Sequence, residues 1–297
     1  MPQSRLRLAD EAVNGQIDLH CHSTASDGIL SPEALVSRAK SAGVTLLALT
    51  DHDTVAGYAQ ARDAAEKAGI FLLPGIELTA RWGRQVVHVV GLNVDPESAA
   101  IGGAIAERGR LRDARALEIA ARLEKRGFSG AMAGARQHAG EGVIGRPHFA
   151  RWLVEAGYLP DEAKAFKRYL GAGKTGDVSV DWPDMGTTVA SIHAAGGAAV
   201  LAHPLKYGLT RMRLQSLLGE FQEAGGDAVE VVCGQQNPVQ TREILALLER
   251  VSASRSGGRA LRASLGSDFH QPDQPWRELG SVHLPADVEP VWALWRG

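Results

Sequence analysis

IDLHCHSTASDG, residues 17–28, places a histidine on either side of a cysteine, directly after an apolar, strand-like run, with an aspartate five residues further on. Ile17 and Leu19 alternate with Asp18 and His20, which is the period of an extended strand. Side chains at i and i+2 leave a strand on one face, so His20 and His22 project together and Cys21 faces the other way. Two imidazoles on one face are half of a site for a borderline divalent metal. By itself an H-x-H is equally a polar strand end with solvated histidines, and the rest of the chain decides between the two.

Outward from this stretch, strand-like and helical segments alternate. IDLH leads into SPEALVSRAKSAG, where Ser31 suits an N-cap, Pro32 the first helical position and Gly43 the helix stop. VTLLALT (44–50) follows, then a helix through AGYAQARDAAEKAG, then IFLLPGIELT (70–79) and VVHVVGLNV (86–94). The rhythm returns with GAAVLAHP (197–204), DAVEVVCG (227–234) and LRASLGSD (261–268). Apolar strands alternating with helices predict a parallel sheet covered on both faces, with seven principal strands, as a barrel or a doubly wound sheet. Between about residues 98 and 190 the rhythm gives way to helical segments rich in arginine and lysine, read as a helical insertion: a lid or substrate-holding module between barrel segments 1–97 and 191–297.

The 297 residues suffice for one large α/β barrel or two ordinary domains. A composition of 44% hydrophobic and 22% charged residues suits a globular protein with a sizeable core, and a formal net charge of −2 advertises no global attraction to nucleic acid or membrane. Cys21 and Cys233 are too few for a disulfide framework, the first residues lack the apolar stretch of a signal peptide, and no apolar run is long enough to span a bilayer. The expectation is a cytoplasmic protein without membrane contact or an obligate protein partner.

Strand after strand ends in a potential metal ligand. His20, His22 and Asp27 follow the first, and His52 follows the second in LTDHDT. Glu77 lies in PGIEL and His88 in VVHVVG; LAHP gives His203, and SLGSDFH gives Asp268 and His270. Parallel α/β architectures gather their functional residues at the carboxyl ends of strands. His88 alone would read as a core histidine and Glu77 alone as a solvated carboxylate, but the set together reads as a metal centre. Asp51, next to His52, is expected to be a supporting or structural residue rather than a ligand, and Asp53 to open the following helix. Strand parity makes Cys21 a buried structural thiol, and Cys233 is read the same way. GAGKTG (171–176) lacks the spacing and the preceding strand of a phosphate-binding P-loop. His138, His193 and His283 have no motif context.

Together, IDLHCHSTASDG, ALTDHDT, PGIELTA, HVVGL, LAHP and GSDFH resemble the PHP (polymerase and histidinol phosphatase) superfamily of metal-dependent phosphoesterases, and within it the ribonuclease AM and 3′,5′-nucleotide bisphosphate phosphatase group, with its insertion motifs like GRPHFAR (145–151) and YLGAGK (169–174). The resemblance runs from Ile17 to Val282 and fills all nine ligand positions. It implies a distorted (β/α)7 barrel with a small helical insertion and up to three divalent ions, most often Mn²⁺, with Fe²⁺ or Zn²⁺ as variants. It puts His20, His22, Glu77 and Asp268 on one metal, Glu77, His88 and His203 on a second, and Asp27, His52 and His270 on a third. Glu77, Asp268 and His203 stand nearest the chemistry, in which a hydroxide bridging the metals attacks phosphorus. The implied substrate is a 3′,5′-bisphosphonucleoside or a short 5′-phosphorylated RNA, with Arg146, His148 and Lys174 of the insertion motifs as contacts; Tyr207 after AHP and Asn237 in CGQQNP join them as residues on loops that follow barrel strands. A histidinol-phosphatase-like activity and a non-catalytic interaction module are the alternatives. Divalent ions suit phosphoryl chemistry because they neutralise phosphate oxygens and lower the pKa of water.

Overall fold

A computed structural model of the chain describes residues 6–253 and 260–296. Seven strands, β1 (Gln16–Asp18), β2 (Val44–Leu49), β3 (Phe71–Trp82), β4 (Gln85–Leu92), β5 (Ala198–Leu201), β6 (Ala228–Cys233) and β7 (Arg262–Gly266), pair in chain order. The segments beyond β1 and β7 then meet: His22 N–H donates to Phe269 O at 2.9 Å and Asp268 N–H to His20 O at 2.8 Å. The result is a nearly closed barrel, as the expected (β/α)7 architecture requires.

The sheet is mixed rather than parallel throughout. β1–β2–β3 and β5–β6–β7 are parallel, whereas β4 runs antiparallel to both neighbours. The reason is local. Only Gly83 and Arg84 separate paired Trp82 and Gln85, and Gly83 takes φ +56°, so the link is a two-residue hairpin and too short for a crossover.

Helices α1 (Pro32–Ser41) and α2 (Tyr58–Ala68) cover one flank of the barrel. Ser31 Oγ accepts from Ala34 N at 3.2 Å, giving α1 the N-cap its sequence signals. The insertion contributes α3 (Ala99–Glu124), α4 (Ala131–Ala139), α5 (Arg146–Glu155) and α6 (Glu162–Ala165), and α7 (Met185–Ala194), α8 (Arg211–Glu223) and α9 (Pro238–Ala253) complete the outer layer. The insertion has its own buried cluster around Ile119, Leu123, Phe149, Leu153 and Leu170. The long helix α3 serves both bodies, with Ile101 and Ala104 in the barrel's outer core and Ala116 to Leu123 in the insertion. Among the described residues, no helix is long and apolar enough to cross a membrane.

Inward-facing side chains change character along each strand. Leu46, Ala48, Leu73, Val90, Leu92, Val200 and Ala228 fill the barrel, with Leu8, Ala12, Trp292 and Trp295 joining the same cluster. At the same period of two, Leu73 is followed on its face by Glu77, Ala228 by Glu230, and Val90 is preceded by His88. Because β4 is reversed, all three polar groups reach the same end of the barrel.

Strict alternation does not run unbroken through the opening motif. β1 ends at Asp18; Ile17 and Leu19 both join the barrel interior, yet Cys21 lies in the outer layer beneath α1, its thiol donating to Ala48 O at 3.2 Å. Asp18 makes the change of direction possible. Its buried carboxylate accepts from Ser267 N at 2.9 Å, Gly280 N at 3.0 Å and His20 N at 3.3 Å, tying β1 to the end of β7. Burial lifts its pKa to about 6, against the pull of these backbone donors. Close approach at this seam also requires Gly266, where any Cβ would collide with His20 Cβ and Glu230 Oε1.

Asp18→Ala strips the acceptor from three buried N–H groups and should lower the unfolding free energy in urea by about 3 kcal/mol, whereas Cys21→Ala should cost only about 1 kcal/mol. An Asp18→Ala protein as stable as the parent would show that barrel closure does not depend on this carboxylate.

Candidate metal centre

All nine residues expected as ligands converge at the carboxyl end of the barrel, in four overlapping groups whose ligand atoms lie within 4.8 Å of one another. His20 and His22 follow β1, Asp27 sits on the next loop, and His52 follows β2. Glu77 and His88 project from β3 and β4, His203 follows β5, and Asp268 and His270 follow β7. His203 and Asp268 hold φ of +30° and +55°, left-handed conformations that cost energy and recur where a side chain must be aimed.

Glu77 is the hub. Its Oε1 stands 2.9 Å from His88 Nδ1 and 3.0 Å from His203 Nε2. Its Oε2 stands 2.9 Å from His52 Nδ1 and 3.3 Å from both His20 Nε2 and His22 Nε2. The grouping differs from the partition the resemblance implies. His203 gathers with His20 and Glu77, His88 with His52 and Glu77, and His22 reaches toward Asp27, His52 and His270 as well as Asp268. Two-toothed carboxylates and two-nitrogen rings packed this closely share neighbours rather than sorting into separate sets.

The donor set fits divalent cations. His52 Nδ1 and Glu77 Oε2 are buried and, though close, are misaligned for a hydrogen bond, so each lacks a hydrogen-bond partner. Burial alone would raise the Glu77 carboxyl, but His52, His20 and His88 outweigh it and hold it well below the usual carboxylate range. Asp268 is likewise held low against burial by Lys206 and His270, and Asp27 by His270 and His52. His22 falls to about 3, through burial and then the neighbouring His270 ring, so its imidazole is neutral and its lone pair available at pH 7. His52 is pulled up to about 9 because Glu77 and Asp27 overcome its burial. Three buried carboxylates among imidazoles, with nitrogen and oxygen donors but no thiolate, make a donor set that suits divalent metal ions.

Residues outside the expected set hold these ligands in place. Glu230 accepts from His203 N at 2.6 Å and meets His20 Nδ1 at 3.0 Å, which leaves His20 Nε2 facing the cluster. Asp51 accepts from Ser23 N and Ser23 Oγ, both at 2.7 Å, and from Ser26 Oγ at 2.6 Å, framing the loop that carries Asp27. Asp53 does not open a helix: α2 begins at Tyr58 behind Gly57. It takes φ +51° and accepts from Thr79 N and Thr79 Oγ1 at 2.7 Å and from Arg112 Nε at 2.6 Å, because its carboxylate is needed to join β3 to α3.

A cleft of about 710 Å³ opens from the cluster toward the insertion, lined by Asp27, His52 and His88 at one end and by Arg112, Arg115 and Arg146 further along. The three arginines crowd one another. Burial, then Arg146 and Arg112, bring Arg115 down to about 10, and burial and Arg112 also lower Arg146. Each has one or two bonds to protein, such as Arg146 to Leu170 O at 3.1 Å and Arg115 to Val178 O at 3.2 Å, and keeps other N–H groups.

Of the five expected substrate contacts, only Arg146 lines this cleft. His148 is buried and its Nδ1 accepts from Gly145 N at 2.9 Å, closing the start of α5. Lys174 is exposed on the turn after residue 170. The Tyr207 hydroxyl accepts from His88 N at 2.9 Å and donates to Ala202 O at 2.8 Å, bracing two ligand-bearing segments. Asn237 is exposed, its Oδ1 capping Val239 N and Gln240 N at 3.0 Å. Sequence reading missed Arg112 and Arg115. The signal was the spacing of Arg108, Arg112 and Arg115 at i, i+4 and i+7, which shares one helix face.

The PHP domain family matches residues 18–122. Over 281 residues the chain is 45% identical to the 5′-3′ exoribonuclease Rnm of Escherichia coli K12, covering 94% of this chain and 93% of that one. It is 40% identical over 278 residues to the 3′,5′-nucleoside bisphosphate phosphatase of Chromobacterium violaceum, covering 93% and 95%. A solved structure from Chromobacterium violaceum, described as an amidohydrolase with bound sulfate and no metal, superposes with a TM-score of 0.86 at 38% identity over 94% of this chain and 95% of that one. With the ligand-bearing barrel mouth and relatives matched over nearly their whole length, the chain belongs to the PHP family.

Proposed function

We propose that this protein is a metal-dependent phosphoesterase that breaks the P–O3′ bond of nucleotides bearing a 5′-phosphate. It would remove the 3′-phosphate of 3′,5′-bisphosphonucleosides and, by the same cut, release 5′-terminal mononucleotides from short RNA. One observation carries the reading: three members of the nine-residue ligand cluster, Asp27, His52 and His88, line one cleft together with three crowded arginines. Its relatives are named for these two activities.

The ligand set suits up to three divalent ions, Mn²⁺ first among them. When bound they supply charge neutralisation for phosphate oxygens and a water acidic enough to attack phosphorus near neutral pH. The protein's own residues do the rest. Glu77 shares its two oxygens among five imidazoles and so keeps the ligands in one compact array, with Asp268 and His203 beside it. Arg112, Arg115 and Arg146 hold the 5′-phosphate through charged, forked hydrogen bonds. That grip sets the 3′-phosphoester against the cluster, which is an orientation effect as well as a binding one. Three arginines at a distance from the cluster favour a substrate with a second phosphate over a singly phosphorylated alcohol such as histidinol phosphate, and the full ligand set favours catalysis over a structural module. Two free buried thiols suit the cytoplasm.

Purified protein should carry more than one divalent ion per chain by elemental analysis, lose hydrolysis on chelation and regain it with Mn²⁺; unchanged turnover after verified metal removal would sink the mechanism. Glu77→Gln should lower the metal content and cut turnover about ten- to a hundredfold, because it weakens every group that shares the carboxylate. Arg146→Ala should lower kcat/KM for a 3′,5′-bisphosphonucleoside about ten- to a hundredfold while changing that for the 3′-monophosphate little. Equal losses on the two substrates would mean that Arg146 does not read the 5′-phosphate.

A further inference from the structure

Because the strands pair in chain order around the barrel, β5, β6 and β7 lie across its mouth from β2, β3 and β4. The arginine cleft belongs to the second group, where His52 and His88 line it. On the far side Asp268 divides its oxygens. Oδ1 stands 3.4 Å from His22 Nε2 and 3.6 Å from His20 Nε2, while Oδ2 meets Lys206 Nζ and, at 3.5 Å, an Arg277 guanidinium nitrogen. Arg277 Nε is buried without a hydrogen-bond partner. The residue before it, Trp276, leaves 50% of its surface in solvent. Its backbone is fixed: Gln235 N donates to Trp276 O at 2.8 Å and Arg277 N to Gln274 O at 2.9 Å. A large indole is thus displayed on an anchored turn, next to Arg277, which with Lys206 meets Asp268 of the ligand cluster, and neither the metal centre nor the arginine cleft uses it.

We propose that Trp276, with Arg277 beside it and Lys206 across Asp268, seats the nucleotide on the 3′ side of the scissile phosphate, its base stacked on the indole. This inference rests on the exoribonuclease half of the proposed function. Hydrolysis there adds water across the P–O3′ bond: O3′ leaves as the hydroxyl of the terminal nucleotide, held in the arginine cleft, and phosphorus stays with the shortened strand as its new 5′-phosphate. The strand that departs therefore lies away from the arginines, over β5 to β7, where Trp276 stands. Stacking suits the task because every base offers a π-face, so successive nucleotides of any sequence are accepted, and the two cations meet the strand's phosphates. A bisphosphonucleoside has no second base and never reaches the indole.

The test measures kcat/KM for a 3′,5′-bisphosphonucleoside, a 5′-phosphorylated trinucleotide and the same trinucleotide with an abasic second residue, in wild type, Trp276→Ala and Trp276→Phe. Trp276→Ala should lose roughly 5- to 150-fold on the trinucleotide, the worth of one base stack, and stay within about twofold on the bisphosphate. Trp276→Phe should recover most of the loss. The abasic substrate should be cut as slowly by wild type as by Trp276→Ala, since removing either partner removes the same contact. Equal losses on all three substrates, or no loss on the trinucleotide, would overturn the inference. A wild type that hydrolyses the bisphosphate but not RNA would overturn it together with the RNA half of the function, and one that hydrolyses neither would overturn the proposed function itself.

Discussion

One buried carboxylate sets the terms for the rest of this molecule. Glu77 is fully enclosed, and its two oxygens are shared among five imidazoles that come from strand β4 and from the segments after β1, β2 and β5. An isolated carboxylate in such a place would be neutralised or would unfold its surroundings. Here the surrounding histidines make the charge tolerable, and the charge in turn gives the histidines a reason to converge. The barrel can hold them because they arrive from several different strands, with the strands below packed on aliphatic side chains that leave the rings little freedom.

Around that hub a second ring of buried acids acts on the backbone rather than on the cluster alone. Asp18 binds three N–H groups where the barrel closes, Asp51 shapes the loop before Asp27, Asp53 links β3 to the insertion, and Glu230 aims His20 while holding the His203 backbone. Each is individually expensive to bury, and each is repaid in hydrogen bonds to groups that would otherwise be unsatisfied. Much of the cost of assembling the site is therefore met locally, one loop at a time.

The parts legible in the sequence were those with short-range grammar. Ser31, Pro32 and Gly43 delimited α1, strand runs marked all seven strands, and the ligand-bearing motifs named the residues that converge. What the sequence hid was relational. The antiparallel setting of β4 depended on counting the two residues at Gly83 and Arg84 as a hairpin. Asp53, which reads as a helix opener, is claimed instead by Arg112, 59 positions away. His148 and Asn237 are polar residues in suggestive motifs, yet backbone N–H groups nearby use up their acceptors, and no pattern of spacing announces that. Arg112 and Arg115 carry no motif of their own, and only the fold of the insertion brings them into the cleft at the barrel mouth.

Helix α3 is the feature that joins the two bodies, and its rigidity has a metrical consequence. Arg108 is fully buried at its barrel end, donating to Thr79 O and Thr188 Oγ1, both at 2.7 Å, two residues from Glu77 on the same strand. Seven residues on, about 10 Å along a helix that barely bends over such a distance, Arg115 stands in the cleft. The helix therefore works as a gauge: Arg108 fastens it to the strand that carries the hub carboxylate, and on the proposed function the position of Arg115 sets how far away an anion is caught. On the proposed reading, a substrate is cut when the gap between its two phosphates matches that gauge, so the length of each excised unit is written in helical turns and not in the chemistry of the bases.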